Sequence, residues 1–338
     1  MKKRFYHIDF LRAAAIIGVI AIHVLSYSPV SRLNDFVGNY LHFVVVAFVF
    51  CSGYVMFSRY PERVQTLKQT LKWYKKRLIR LLLPFYIYLG LHYLLWILFP
   101  NYFSGLGLQK SSNFIVNSIF LTGGQNLNWL PLLFIELMFL FPIFALFHKR
   151  KKSLILYLSF TFAVTIFFTF FRFPYNYYRF EMWIGWSIVF LMPMTFVIYE
   201  KEKLRIKTYI LFGGISAIIF TILFILWHFI PRSFYLIDHK YPPDLYNLSY
   251  GTAISMILIL ISKFKIFEKK IIKKAYLFLS KHSYNLFFVH YIVLDFSIKQ
   301  NIVNFWFVLL GSILISVLII DGTKILRTLN FRSRGERN

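Results

Sequence analysis

Three polar side chains share the apolar segment YHIDFLRAAAIIGVIAIHVL near the N-terminus: Asp9, Arg12 and His23. Asp9 and Arg12 stand three residues apart, neighbours on a helix, where opposite charges can neutralise each other. Arg12 and His23 stand eleven apart. At about 100° and 1.5 Å per residue they return to within roughly 20° of one stripe, about 16 Å apart along the axis. A helix here would aim a cation at one end and an imidazole at the other. Histidine suits general base work near neutral pH. The competing reading of His23 is a core histidine bonded to a carbonyl, and spacing does not separate the two.

Further along, WYKKRLIRLLLPFY brings Arg77 and Arg80 three residues apart behind Lys75 and Lys76. Paired guanidinium forks can grip one phosphate bidentately, or serve as snorkelling anchors. In FVFCSGYVM, Ser52 and Gly53 are small enough for close helix approach. Cys51 is the single cysteine; it would carry an acyl thioester or sit inert in apolar core. In LSKHSYNLFFVHYIVLD, Ser283 and His290 are seven apart and share a face, with Tyr284 pointing elsewhere and Asp295 beyond. Glu136 lies about two turns below Trp129, a carboxylate that must be paired or protonated at hydrocarbon depth. The segment PRSFYLIDHKYPPDLYNLSYG is stiffened by Pro242 and Pro243 and carries Asp238, His239, Asp244 and several tyrosines. It suits a carbohydrate acceptor, or an ordinary polar cap.

The elements that must hold these groups follow from composition. The 338 residues are 58% hydrophobic and 15% charged, against roughly 25% charged in a water-bounded domain. The excess apolar surface needs lipid, and a lipid-crossing helix needs about 20 apolar residues. Ten windows qualify: 8–27, 38–58, 78–99, 129–147, 153–171, 182–199, 208–230, 247–262, 276–297 and 303–322. The stretch 113–122 is too short to cross and is expected to lie at the interface or re-enter. With a cytoplasmic N-terminus, 30 of the 39 Lys and Arg fall on inner segments, from Lys2 to Arg4 through Lys324 to Arg337. The positive-inside rule selects that orientation, with both termini cytoplasmic. The net charge of +26 then reads as topology and lipid attraction rather than nucleic-acid binding. The basic start is expected to be an uncleaved first span. The chain 1–338 is expected to be one all-α integral membrane domain with no appended soluble domain and no metal site.

IDFLRA followed by His23, then CSGY, KKRLIRLLLPFY and a late HSYNLFFVHYIV resemble the membrane-bound acyltransferase type 3 family almost span for span. The family's first-span Arg and His, its Arg-x-x-Arg and its late Ser-Tyr with His correspond to Arg12 and His23, Arg77 and Arg80, and Ser283, Tyr284 and His290. Two positions depart from the pattern: Phe10, where many members have Gly, and Cys51, where an aliphatic residue is common. The resemblance implies an enzyme of the bacterial plasma membrane that moves an acetyl or succinyl group from cytoplasmic acyl-CoA to a hydroxyl of a surface or lipid-linked carbohydrate. It also implies an essential role for His23 and a coenzyme role for Arg12, Arg77 and Arg80. Some members carry an extracytoplasmic hydrolase-like domain for the final transfer; this chain is expected to finish alone or with a partner.

Combining both readings, acetyl-CoA or another acyl-CoA would dock from inside on Arg77, Arg80, Lys75 and Lys76, with Arg12 at the neck of a channel beside Ser52 and Gly53. His23 would act as base on the acceptor, with Asp9 or Glu136 as acidic partners. The acceptor would meet Ser283, Tyr284, His290 and Asp244. Partners are then the acyl donor, the glycan and the bilayer, with a homo-oligomer or a biosynthetic complex left open and no nucleic acid. The rival is a polysaccharide or lipid-linked sugar exporter or flippase without acyl transfer. In it, Arg77 and Arg80 would be plain anchors.

Overall fold

A computed structural model describes residues 4–59, 66–147, 151–171, 178–198 and 202–318. Those residues form helices and no strands; an isolated bridge pairs Lys240 with Pro243. The order is α1 Tyr6–Tyr27, α2 Arg32–Tyr40, α3 Phe43–Arg59, α4 Leu67–Leu98, α5 Ser112–Phe120, α6 Trp129–Phe147, α7 Lys151–Phe170, α8 Tyr178–Ile198 and α9 Glu202–Leu226. Then come α10 Leu245–Ile261, α11 Lys270–Lys299 and α12 Phe305–Leu318.

Among the described residues, seven spans are long and apolar enough to cross a bilayer: α1, the run Arg32–Ser58 through α2 and α3, α4, Asn126–Phe144, and one each in α7, α8 and α9. The ten windows read from sequence do not all reappear in that set. α10 has 17 residues, and α12 is likewise a shorter apolar helix. α11 has 30 residues, but Lys270, Lys273, Lys274 and Lys281 make its first half amphipathic. The window 303–322 runs past the described residues. So do the basic groups at Lys2 and Lys3, Lys149 and Arg150, and Lys324 to Arg337.

Two kinds of helix face explain the arrangement. On α9 the exposed residues Leu211, Ile215, Ile218, Ile222 and Ile225 recur at alternating steps of four and three. Such an apolar stripe on the outside is a lipid face. Inside, α1 packs along α11 and α3, α3 along α8, and α9 along α10. Buried hydroxyls bond within their own helices: Thr165 and Thr169 on α7 donate to the carbonyls one turn back, at 2.7 and 2.8 Å. This removes the cost of carrying a polar group into lipid.

Gly53 shows how tightly α3 and α8 meet. A Cβ at this position would lie 2.2 Å from the Phe190 carbonyl oxygen. Gly53→Val is therefore expected to lower the melting temperature in detergent by several degrees, because backbone cannot yield as a side-chain tip can. Thermal unfolding followed by tryptophan emission checks this, and an unchanged melting curve would overturn the packing role.

α4 begins earlier than the sequence window 78–99. It starts at Leu67 behind a Thr66 capping box with Gln69 and continues through Pro84. At 1.5 Å per residue its 32 residues reach about 48 Å, longer than a hydrocarbon core. Arg77 and Arg80 thus sit on a rigid helix, not in a loop leading into one.

The short segment expected near 113–122 is α5, which ends at Leu121 with φ 62°. Residues between α4 and α6 fold against the bundle and are pinned by Asp295. Its carboxylate accepts from His92 Nε2 at 2.9 Å, from the backbone N–H groups of Ser104 and Gly105 at 3.0 Å each, and from the Ser104 hydroxyl. Asp295 and His92 are fully buried, so their pairing is the condition for the carboxylate to be there at all.

Candidate active site

Two polar regions lie along α1. The first is a cavity of about 320 Å³ between α1, α3, α4, α6 and α11. Arg12, Arg77, Arg80 and Lys281 line it, together with Ser52, Ser283 and Tyr284. No carboxylate is among its lining residues. Four donors of positive charge around one space make an anion site. Apart from Ser280, the rest of the wall, including Phe48, Leu130, Phe134 and Phe287, is apolar and suits an extended chain. The Arg77 guanidinium lies 5.3 Å from the Trp73 ring centroid, and Trp73 stacks on Phe141 at 5.4 Å. That contact holds a flat donor fork in place. A neighbouring cavity of about 340 Å³ shares Arg12, Val55 and Lys281 and adds Arg4, Phe5, Ile8 and Asp9.

The structure redistributes several sequence expectations. Asp9 pairs with Arg4 at 2.8 Å and accepts from the Ser280 hydroxyl at 2.6 Å. Among the described residues it forms no ion pair with Arg12, which leaves that cation facing the cavity. Ser283 and Tyr284, expected on the acceptor side, line the same cavity as Arg77 and Arg80. Tyr284 does not point elsewhere, because a space this wide is reached from adjacent helix positions; its hydroxyl donates to Leu81 O at 2.8 Å. Ser52 lines the cavity, whereas Gly53 turns to α8 and Lys76 is exposed outside the lining. Cys51 is buried, with Sγ 3.5 Å from Ile8 O, in keeping with inert core. The other departure from the family pattern, Phe10, packs edge-on to Phe267 and Tyr276.

The second region surrounds His23. Its ring lies 5.1 Å from the His290 ring and 5.5 Å from Tyr291, centroid to centroid. His290 Nδ1 is 2.9 Å from Leu286 O, so that nitrogen carries the proton. Its Nε2 is then a lone-pair acceptor, and it is buried without a partner among the described residues. His42, at the junction of α2 and α3, also has a buried Nδ1 without a partner. The unbroken helix α1 joins this basic cluster to Arg12.

Glu136 is not among the groups around His23. Its Oε2 is buried without a hydrogen bond among the described residues, within reach of the Arg179 charge. Arg179 itself donates to Leu121 O at 3.1 Å and Asn128 Oδ1 at 2.9 Å. Asp244 is committed locally: it caps α10 through Asn247 N at 3.1 Å and lies 2.5 Å from His239 Nδ1. Sequence reasoning missed His42, His92, Lys240 and the cavity role of Lys281. Only Lys281 carried a usable signal, a lysine inside an otherwise apolar window.

The described residues thus form a helical protein with membrane-length apolar helices, a cationic cavity toward one end of α1 and an imidazole cluster toward the other. A family model for the type 3 acyltransferase domain matches residues 5–321. The chain belongs to that family, and it is an acyltransferase. No curated protein and no solved structure matches the chain significantly.

Proposed function

We propose that the protein is a multi-pass enzyme of the bacterial plasma membrane, with its N-terminus in the cytoplasm. It transfers an acetyl or succinyl group from acyl-CoA to a hydroxyl of a surface or lipid-linked carbohydrate. The observation that carries this reading is the α1 axis, with the Arg12, Arg77, Arg80 and Lys281 cavity at one end and His23 about 16 Å away along the helix. The donor's phosphates bind the cations and its pantetheine arm follows the apolar wall. An ionised phosphate and a guanidinium form bidentate, charge-assisted bonds, which fits the fork of Arg77 better than an ammonium would.

His23 takes the proton from the acceptor hydroxyl as that oxygen attacks the thioester carbonyl. The carbon–sulfur bond then breaks and the coenzyme leaves as thiol, with the proton returning to sulfur. A sugar hydroxyl is a weak nucleophile at its own pKa, so a positioned base is what the step needs. His290 is the neighbouring imidazole that can orient His23. The ring centroids of Trp129 and Tyr178 each lie 5.0 Å from that of Tyr241, an aromatic surface suited to the apolar faces of a sugar.

Membranes containing the protein, incubated with radiolabelled acetyl-CoA and a candidate glycan, test this reading. Label is expected in the glycan and to be removed by mild base. Glycan movement across the membrane without label would sink the acyl-transfer reading and favour export.

A further inference from the structure

In the α9–α10 connection, Lys240 is a buried cation with no ion pair among the described residues. The connection turns through Leu236–His239 and a cis Tyr241–Pro242 bond, and it folds inward. Lys240 is 8% exposed. Its Nζ lies 4.7 Å from the Trp129 ring centroid and 5.0 Å from that of Tyr241. The acids nearest in sequence are engaged elsewhere. Asp238 accepts from the Ser233 hydroxyl at 2.5 Å, and Asp244 holds His239 and the α10 N-terminus. Among the described residues Lys240 forms no salt bridge.

The physical imbalance is clear. Burying an ammonium without a counter-charge is costly, and cation–π contacts offset only part of that cost. Burial accordingly pushes the Lys240 ammonium down to about 7, and an anion beside it would restore the charged form. Among the described residues, no carboxylate acts on the Lys240 charge. The Lys240 charge acts on His23 and His42, and two nearby ring nitrogens, His42 Nδ1 and His290 Nε2, are buried without partners among the described residues. A hydroxyl can donate to such a ring nitrogen, but an acceptor that is neutral throughout brings no counter-charge to Lys240.

We propose that Lys240, with His42, forms an anion subsite beside His23 that takes a phosphate or carboxylate group carried by the acceptor. The acceptor class is thereby narrowed to acidic glycans: those with phosphodiester, uronic acid or lactyl groups next to the hydroxyl that is acylated. This rests on the reading that the His23 end of the bundle is the acceptor end. Lys240 sets specificity and orientation; it makes and breaks no bond.

Trp129 supplies a direct reporter because the ammonium sits over its ring. The full chain in neutral-lipid nanodiscs is titrated with inorganic phosphate, then with acetate, against chloride at matched ionic strength. Trp129→Phe subtracts every other tryptophan, including Trp73 beside Arg77. The wild type is expected to show a saturable, Trp129-dependent emission change that Lys240→Arg retains. In Lys240→Gln the midpoint should move at least about tenfold, the size expected when one partner of a buried charge pair is removed. Melting curves establish that both variants are folded. If phosphate and acetate give no Trp129-dependent change in the wild type, or if the midpoint is the same in Lys240→Gln, the proposal is overturned. The titration needs no acyl donor, so its failure is distinguishable from a failure to transfer label from acetyl-CoA.

Discussion

Replacing His23 with alanine is expected to reduce acetyl transfer from acetyl-CoA by about 10²- to 10⁴-fold, the contribution of a positioned acid–base group. The KM for the donor should change little, because the imidazole lies about 16 Å along α1 from Arg12. His23 is only partly buried and, among the described residues, its ring contacts are to His290 and Tyr291 rather than to a carboxylate or carbonyl. Its nitrogens are therefore available to a substrate. A core histidine held by a carbonyl would instead be fixed in one tautomer, and its loss would show as instability. Initial rates over a range of acetyl-CoA concentrations, alongside melting curves, separate these cases. Wild-type turnover in a folded His23→Ala protein would remove His23 from the mechanism.

The second large effect is expected at the other end. Changing Arg77 and Arg80 together to glutamine should raise the KM for acetyl-CoA by about 10- to 100-fold. This corresponds to losing hydrogen bonds to charged groups worth about 1.5–3 kcal/mol each, reduced by solvent in an open cavity. kcat should fall much less, since neither guanidinium reaches the His23 region. Acetyl-pantetheine, which lacks the nucleotide phosphates, provides the control: its KM should be the same in wild type and variant. If the two arginines are snorkelling anchors, the KM for acetyl-CoA will not move and protein yield in membranes will fall instead.

The sequence was informative where chemistry depends on one helix. Arg12 and His23 are tied together by the fixed rise and twist of α1, so their separation and shared stripe could be read without a fold. Arg77 and Arg80 were legible for the same reason, as neighbours one turn apart. The helical class and the lipid environment follow from apolar windows, which are local sums. The ten windows were harder to convert into spans. Among the described residues, length and hydropathy alone do not qualify α10, α11 or α12, and α11 owes its buried second half, Leu286 to Asp295, to neighbours that a window average does not contain.

What packing decided is the assignment of partners. Asp9 looked matched to Arg12 by spacing, yet it takes Arg4 and Ser280, which frees Arg12 for the cavity. Ser283 and Tyr284 line the cavity with Arg77 and Arg80, whereas His290 and Tyr291 further along α11 reach His23. His92 with Asp295, separated by 203 positions, and Lys240 over Trp129 arise from contacts between distant segments. Helical periodicity fixes which face a residue occupies, because it is a property of one backbone. It does not fix which other helix that face will meet. That choice is made by the close packing of the whole bundle, through details such as the missing Cβ of Gly53 against Phe190, and only the tertiary structure records it.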